Sequence, residues 1–434
     1  MKSLKHIYIV ISMLIIASMA SCELENIPDP NNADQNSIET NATLSDIQLL
    51  VNGTEDLMRS EMGFYYDVLG IIGREYYFFT NSDPRYTGEI LGKAESSLDT
   101  RGFYGTRPYA ARYRTIKNAN ILITAVENTP ESLSDTDKNG LFGFAKTVQA
   151  YSFLLVLNMQ YQNGIRMDVS DPENLGPFID YTTALANISN LLDDANTNLT
   201  TAGSSFVFTM SNLPGNPSDF SKFNRAIKAR VELYRGNNAA VLTALTNSSM
   251  DLAGNLDNGP SHFYSLAGND KVNPMYRVPD QSEALVAHPS FITDAQAGDN
   301  RINKTTIRTS TAVLDGLSGD FDLTIYSGFE DPIPIIRNEE LILMYAEANI
   351  GTNNAEAINA IDIIRTAHGL SAYAGGTTDA ELIDELLYNR RYSLIGEAHR
   401  WIDMRRFGRL NQLPLDRVGD DVWEQFPRPA AEGE

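Results

Sequence analysis

The chain has 434 residues, of which 42% are hydrophobic, and its formal net charge at pH 7 is -22. This length is enough for a substantial hydrophobic core, whereas the acidic charge disfavours polyanionic partners such as DNA, RNA or lipopolysaccharide. Cys22 is the only cysteine, which excludes a disulfide within the chain and a metal site built from cysteines.

The N-terminal residues 1–21 have the pattern of a signal peptide. A basic start is followed by an apolar run, residues 7–20, that is too short to span a bilayer comfortably. The run ends in Met19-Ala-Ser-Cys22, which resembles a bacterial lipobox. We therefore expect cleavage before Cys22, lipidation of that cysteine and a polar tether over residues 22–42. Ordinary secretion with an incidental cysteine is the alternative.

The body of the protein begins with a helix and an aromatic passage. Apolar residues at helical spacing predict a helix over residues 43–62. The passage that follows, residues 64–88, is rich in tyrosine and phenylalanine and contains an Asn-Ser-Asp-Pro cluster that is typical of a loop. Residues 76–79 are compatible with either core or surface, whereas we expect residues 83–86 to be exposed in the loop.

Helical periodicity then dominates as far as residue 245. Four stretches step by three and four residues: Ile116 to Val126, Val148 to Met159, Leu185 to Leu199, and Ala226 to Leu233. Such helices resemble tetratricopeptide-type pairs, which bury their faces against neighbouring pairs. Residues 250–335 differ, because Gly, Asn, Asp, Ser and Pro interrupt short β-like pieces at 305–309 and 321–326. We expect this section to be irregular and to face a ligand.

The last quarter of the chain has the clearest local signals. Two amphipathic helical stripes are followed by Gly351 and Gly369, which are typical helix-ending residues. Thr378-Asp-Ala-Glu381 is a capping box that begins a third helix. This helix is predicted to run into a dense block of opposed charges between Arg390 and Arg406. We expect these arginines to pair with carboxylates and so fix how the helices meet, with a solvated charged face as the alternative.

Motifs in this region resemble the SusD/RagB family. They are Arg337-Asn-Glu-Glu-Leu-Ile-Leu-Met-Tyr-Ala-Glu-Ala348, Gly396-Glu-Ala-His-Arg-Trp-Ile-Asp-Met-Arg-Arg-Phe-Gly408 and the closing Phe426-Pro-Arg-Pro429. Asn389 and Ser393 depart from the family pattern, in which Glu is common at both positions. Members of this family are surface lipoproteins of Bacteroidetes nutrient-uptake systems.

The resemblance implies a mostly α-helical, SusD-like fold with tetratricopeptide-like helical pairs and an irregular, loop-rich part that faces the ligand. It implies one SusD-like domain over residues 43–434, with the family motifs at 331–432. It also implies a non-catalytic lipoprotein of the outer membrane, facing outside, that captures oligosaccharides for polysaccharide utilisation. The expected partner is a SusC-type TonB-dependent transporter. No cofactor, metal or nucleic acid is expected.

Other functions stay open at this point. Peptide capture of the RagB type, a lipid-anchored glycoside hydrolase and a helical-repeat scaffold for protein assembly are the alternatives. The chain has no Gly-x-Ser-x-Gly, no His-Glu-x-x-His and no phosphate-binding glycine loop. The spacing of a glycosidase's two carboxylates is a three-dimensional property, which the sequence does not give.

A site for neutral sugars needs flat aromatic surfaces flanked by Asp, Asn and Arg. Residues 74–86 and 262–326 offer both kinds of group in loop-like contexts. We predict three stacking tyrosines with three polar partners: Tyr86, Tyr264, Tyr276, Asp83, Arg85 and Asp299. Ordinary packing of each tyrosine is the alternative.

Overall fold

The structure is a computed structural model that describes residues 35–433, and helices dominate it. In chain order the helices are α1 (Gln35–Asn41), α2 (Leu44–Arg59), α3 (Met62–Ile72), α4 (Phe103–Asn128), α5 (Asp135–Gln160), α6 (Tyr181–Thr200), α7 (Pro217–Tyr234), α8 (Asn238–Thr246), α9 (Pro289–Thr293), α10 (Asn338–Asn349), α11 (Asn354–Ala367), α12 (Asp379–Ser393) and α13 (Arg400–Arg406). The predicted mostly α-helical fold class is confirmed.

The strands form one small sheet and two short pairs. They are β1 (Tyr76–Phe79), β2 (Ile165–Arg166), β3 (Phe178–Ile179), β4 (Ser261–His262), β5 (Ala284–Ala287), β6 (Thr305–Leu314), β7 (Leu317–Leu323) and β8 (Ile333–Pro334). The four-stranded sheet has the order β1–β5–β7–β6, and its neighbouring strands are antiparallel. The section predicted to be irregular therefore contains a β-hairpin, β6–β7. Strand β5 joins this hairpin to β1, which is entirely buried.

Helix α5 is the centre of the core. The segment Asp135–Asn163 is long and apolar enough to cross a membrane, but 89% of its most apolar window is buried inside the protein. Helices α4 to α8 each pack against the next one along the chain, as the predicted helical pairs require. Helix α10 packs in turn on α7 and α8, so the C-terminal helices join the same core.

Helix α1 lies within the segment that we expected to be a tether. It packs against α4, and the side-chain amide of Asn128 donates a hydrogen bond to the backbone oxygen of Glu39 at 3.2 Å. The packed body thus begins at least as early as Gln35. The expected signal peptide and Cys22 lie outside the described residues.

The C-terminal helices end and begin largely where the local signals indicate. Gly351 and Gly369 follow α10 and α11 with φ values of 83° and 81°, which only glycine adopts without strain. Thr378 and Glu381 form the predicted capping box of α12. The third helix does not continue through the charged block, however. It ends at Ser393, and left-handed backbone at Gly396 and Ala398 separates it from α13.

Buried ion pairs join the C-terminal helices to each other and to the rest of the core. The first of them confirms the pairing predicted for the charged block. Arg390 Nε donates to Asp403 Oδ2 at 2.6 Å, joining α12 to α13. Arg230 Nε donates to Glu340 Oε1 at 2.7 Å, joining α7 to α10. The four side chains are buried, so their charges fix the relative positions of helices and do not form a solvated face.

Candidate functional site

A cleft of about 390 Å³ opens where α2 meets α3. It is bounded by this junction, by β1 and the loop after it, and by the segment 264–277. The lining combines aromatic rings with charged groups: Arg59, Glu61, Met62, Gly63, Phe64, Asp67, Phe78, Tyr86, Tyr264, Lys271, Val272, Pro274 and Arg277.

The backbone at the α2–α3 junction builds one wall of the cleft. Glu61 has left-handed backbone, with φ of 56°, and this sharp turn starts α3 directly after α2. Phe64 and Asp67 are three residues apart on α3 and therefore lie on the same face of the helix. A Cβ at Gly63 would lie only 2.7 Å from the Cβ of Pro274. Glycine at this position thus allows the opposite wall to approach.

Asn273 anchors that opposite wall. This residue is buried, its backbone N–H donates to the carbonyl of Phe329 at 2.7 Å, and its side-chain amide donates to the carbonyl of Asp331 at 2.8 Å. The side-chain oxygen accepts from the N–H of Met275 at 2.8 Å. An irregular segment is therefore held in one conformation by the side chain of a single residue.

Four rings form a continuous aromatic band along the cleft. Their centroids are 5.2 Å apart between Phe64 and Phe103, 5.9 Å between Phe103 and Tyr86, and 4.6 Å between Tyr86 and Phe78. Three guanidinium groups lie over its rings: Arg107 on Phe64 at 4.8 Å, Arg85 on Phe103 at 4.5 Å and Arg277 on Phe78 at 5.1 Å. Apolar surface flanked by hydrogen-bond donors is thus present along the band.

Most charges of the cleft are already paired. Arg59 Nη2 lies 2.9 Å from Asp56 and 2.8 Å from Asp270. Lys271 Nζ lies 2.5 Å from the same Asp56, and Glu61 is 3.4 Å from Arg107, outside the lining. These groups shape the cleft, but their charge is largely compensated within the protein.

Asp67 is different. Its side chain is 3% exposed, and Oδ1 has no hydrogen-bond partner among the described residues. The closest cation is Arg277, whose Nη2 lies 3.9 Å from Oδ2. Burial raises the pKa of Asp67 to about 7, and the charge of Arg277 opposes this rise. The cleft therefore contains a buried carboxyl group with unused hydrogen-bonding capacity.

Two of the predicted stacking tyrosines line the cleft. Tyr86 is only 5% exposed, however, and Tyr264 only 6%. The expectation that Tyr86 is exposed is wrong, because its ring packs edge-on against Phe78 and Phe103. The hydroxyl of Tyr264 has no partner within residues 35–433, and burial raises the pKa of this phenol.

The other predicted residues near the cleft lie outside its lining. Asp83 and Arg85 bind each other, with Nε to Oδ1 at 2.9 Å and Nη2 to Oδ2 at 2.7 Å. Because Arg85 also lies over Phe103, the pair flanks the aromatic band. Tyr276 is half-buried and meets Phe329 edge-on at 4.8 Å. Its neighbour Arg277, and not Tyr276 itself, reaches the cleft.

Asp299 is not available to a ligand. It is 1% exposed, and both of its carboxylate oxygens are bound by the guanidinium of Arg301, at 2.9 and 2.7 Å. The hydroxyl of Tyr388 on α12 donates to Oδ2 at 2.7 Å. The prediction of Asp299 as a polar ligand partner is therefore wrong: this carboxylate fixes the 3₁₀ turn at Asn300–Lys304 against α12.

Sequence reasoning missed Phe64, Asp67 and Arg277. A signal for Asp67 was present, because it is the one charged residue in the apolar helix α3, Met-Gly-Phe-Tyr-Tyr-Asp-Val-Leu-Gly-Ile-Ile. Charged side chains in such helices are seldom buried without a reason. Nothing local distinguishes Arg277 from other loop arginines, since its position depends on the approach of two distant segments.

A larger cavity, of about 450 Å³, lies between α1, α4 and residues 166–175. Its lining mixes apolar side chains, such as Ile121 and Leu175, with charged ones, such as Lys117 and Arg166. The smaller cleft is the better candidate site because it joins an aromatic band to an unpaired buried carboxyl group. Over the described part of the chain, no group of three or more His, Cys, Asp or Glu side chains is placed to hold a metal ion.

Comparison with known proteins agrees with this architecture. Residues 292–429 match the model of the SusD family, whereas no curated protein sequence matches the chain. A SusD superfamily protein from Bacteroides vulgatus is 15% identical, with a TM-score of 0.67 over 89% of this chain and 96% of its own.

Two surface glycan-binding proteins also share the fold at a TM-score of 0.67. Surface glycan-binding protein A from Bacteroides uniformis is 14% identical and matches over 90% of this chain and 97% of its own. The protein of that name from Bacteroides thetaiotaomicron, in complex with laminarihexaose, is 12% identical and matches over 89% and 97%. The match over residues 292–429 agrees with the resemblance of the C-terminal motifs to the SusD/RagB family. The structural similarity confirms the predicted SusD-like fold.

Proposed function

We propose that this protein is a non-catalytic lipoprotein that binds oligosaccharides at the cell surface and delivers them to a SusC-type TonB-dependent transporter. The observation that carries the proposal is the cleft with its aromatic band, flanking arginines and one unpaired carboxyl group. The same fold is found in two surface glycan-binding proteins, one of them in complex with laminarihexaose.

The chemistry of the cleft suits neutral sugars. A pyranose ring has C–H faces that pack on aromatic rings and hydroxyl groups that need both donors and acceptors. Half-buried Phe64, which lines the cleft, offers the first kind of contact, and Arg277 and Asp67 offer the second. The volume of the cleft, about 390 Å³, is typical of sites that bind small ligands.

Binding to a glycan array, followed by calorimetry on each hit, tests the proposal. Phe64→Ala should weaken binding by about fivefold to tenfold, because it removes one stacking surface worth about 1 kcal/mol. Phe178→Ala is the matched control. Like Phe64, this ring is half-buried beneath a guanidinium, that of Arg166 at 4.1 Å, but it lies outside the cleft. Binding that is lost in neither variant would place the site elsewhere.

Phe64 is a sharper probe than the predicted tyrosines. Tyr86 and Tyr264 are nearly buried, so alanine at either position would leave a cavity and destabilise the protein as well as change the site. The side chain of Phe64 is partly exposed, and its truncation should leave thermal stability close to that of the wild type.

The same experiment separates the alternative functions. Arrayed peptides that bind where glycans do not would indicate a peptide-capturing protein of the RagB type. New reducing ends after incubation with the bound glycan would indicate a hydrolase. Neither result is expected from a protein that only binds oligosaccharides.

The proposed partner and location need a separate measurement. We expect Cys22 to carry lipid chains that hold the protein on the outer membrane, facing outside. Extraction in mild detergent, followed by purification of this protein, should recover a TonB-dependent barrel of the SusC type. Repeated purification without such a barrel would argue against delivery to a transporter.

A further inference from the structure

Asp67 and Arg277 are neighbours in the cleft, but no direct hydrogen bond joins them. Their nearest charged atoms, Nη2 and Oδ2, are 3.9 Å apart, which is beyond hydrogen-bond distance. Asp403 is as buried as Asp67, yet it accepts a hydrogen bond from Arg390 at 2.6 Å. Because Oδ1 of Asp67 also lacks a partner among the described residues, the carboxyl group has less compensation than burial normally requires.

Arg277 is held in place without help from Asp67. Its Nη1 donates to the carbonyl oxygens of Pro274 at 2.6 Å and of Tyr276 at 3.0 Å. Its guanidinium lies 5.1 Å from the centroid of the Phe78 ring. These contacts fix the arginine from its own segment and from β1, so the gap to Asp67 is a defined feature of the cleft.

A hydroxyl group fits this gap chemically, because it donates and accepts at the same time. We propose that Asp67 and Arg277 together bind a hydroxyl group of a sugar ring, and that this pair makes the cleft select neutral over acidic saccharides. The hydroxyl donates to the carboxylate and accepts from the guanidinium, so both charged groups gain a partner. The inference rests on the proposed function, since it names the ligand class of the same cleft.

The position of Asp67 on α3 connects this hydrogen bond to stacking. Phe64 lies three residues earlier on the same helix face, a spacing at which side chains are about 5 to 6 Å apart at Cβ. A ring packed on Phe64 therefore presents an edge hydroxyl towards Asp67. Phe78, under Arg277, lies at the other side of the gap.

Asp67 and Arg277 carry the charges of the cleft that have no close partner within residues 35–433, and these charges set the selectivity between neutral and charged sugars. Arg59, Lys271 and Glu61 are compensated by partners within the protein. A sugar carboxylate in the gap would gain Arg277 but would face Asp67, and an amino sugar would gain Asp67 but would face Arg277. A neutral hydroxyl avoids both repulsions.

The test compares variants on named probes: neutral laminari-, malto-, xylo- and mannohexaose and acidic oligogalacturonate and sialyllactose. Asp67→Leu should weaken binding of the neutral hits by about tenfold or more, the usual effect of losing a hydrogen bond to a charged group. Glu432→Leu, which removes a carboxylate outside the cleft that is 3.4 Å from its arginine partner, Arg166, should change it by less than about twofold. Asp67→Asn should raise the relative affinity for the acidic probes.

The outcomes separate the two proposals. Wild-type protein that binds none of the arrayed glycans would overturn the proposed function and this inference with it. Wild-type binding that Asp67→Leu leaves unchanged would overturn the inference alone, as would a wild-type preference for the acidic probes. Should Asp67→Leu fail to fold, Arg277→Met tests the same gap from its other side and should weaken neutral binding to a similar extent.

Discussion

Buried ionic groups in this protein differ in how closely an oppositely charged partner approaches them. Burial alone would raise the pKa of Glu340, but Arg230 and His399 lower it to about 2. For Asp67, burial has only the more distant Arg277 to oppose it, and its pKa rises to about 7. In a closed pair, such as Arg230 and Glu340, the two groups hydrogen-bond directly and hold helices together. In an open pair, such as Asp67 and Arg277, they do not, so hydrogen-bonding capacity remains for a ligand.

The closed pair at the α12–α13 junction predicts a large loss of stability when it is broken. Arg390→Met leaves the buried Asp403 with Arg406 as its remaining close cation, so we expect a loss of about 3 kcal/mol in the free energy of unfolding in urea. Lys222→Met breaks a half-exposed pair with Asp219 and should cost less than about 1 kcal/mol. Similar losses in the two variants would contradict a structural role for the buried pair.

The open pair predicts a dependence of stability on pH. The pKa of Asp67 in the folded protein, about 7, exceeds the value of about 3.9 expected in the unfolded chain. The folded state therefore binds this proton more tightly, and its ionisation costs stability as pH rises from about 4 to 7. Asp67→Asn should have little effect on unfolding at pH 4 and should stabilise by on the order of 3 kcal/mol at pH 8.

Asp83→Asn is the control with the opposite sign. Hydrogen bonds from Arg85 lower the pKa of Asp83, so its carboxylate contributes stability above pH 4 that is lost as pH falls through the lowered value. This variant should be destabilised at pH 8 and unaffected at low pH. A stability difference between Asp67→Asn and wild type that is the same at pH 4 and pH 8 would refute the burial argument.

The sequence predicts the pairing of individual charged residues better than it predicts which residues are buried and what they contact. The need for arginine–carboxylate pairing was readable from the charged block, and the structure confirms it. The loop-like sequence around Tyr86 and Asp299 predicts ligand-binding residues, but both side chains are buried. Their burial depends on Phe103 and Tyr388, which are distant in sequence or belong to another element, and no local pattern reports such contacts.

Elements of the fold were predictable where their signals are local. The helix-ending glycines and the capping box depend on a few consecutive residues, and α10, α11 and the start of α12 follow them. The break after Ser393 was not predicted, because its cause is left-handed backbone at Ala398 as well as Gly396. Strand β1 is a further example: it pairs with β5, about 200 residues later in the chain, and aromatic content alone does not reveal this partner.

The capping box itself supports a prediction for α12. Thr378 Oγ1 accepts from the N–H of Glu381 at 3.4 Å, and the Glu381 carboxylate accepts from the N–H of Thr378 at 3.1 Å. Thr378→Ala should cost about 1 kcal/mol in the free energy of unfolding and speed hydrogen exchange in the first turn of α12. Thr378→Ser keeps the oxygen and should change both by little. Equal effects of alanine and serine would mean that the hydroxyl does not cap the helix.

In the whole molecule, long-range contacts assemble the cleft and the core together. Arg230 on α7 reaches Glu340 on α10, and the buried guanidinium of Arg74 donates to the carbonyl of Leu91 at 2.9 Å and to that of Asp421 at 2.8 Å. Residues from both ends of the described chain therefore fix the region next to β1. This explains why composition and periodicity indicated the class of fold but not the position of the cleft.

The last prediction concerns how anchoring relates to binding. The packed body includes Gln35 onwards, whereas the proposed anchor, Cys22, lies 13 residues earlier in the sequence, so we expect the two functions to be separable. Cys22→Ala should abolish palmitate labelling and move the protein from the membrane to the soluble fraction, because the variant lacks the thiol that would carry the lipid chains. The purified variant should keep the glycan-array profile of the lipidated protein. Phe64→Ala is the converse control and should stay membrane-bound while it binds glycans weakly. Retention of Cys22→Ala in the membrane fraction at high salt would show that another segment holds the protein there.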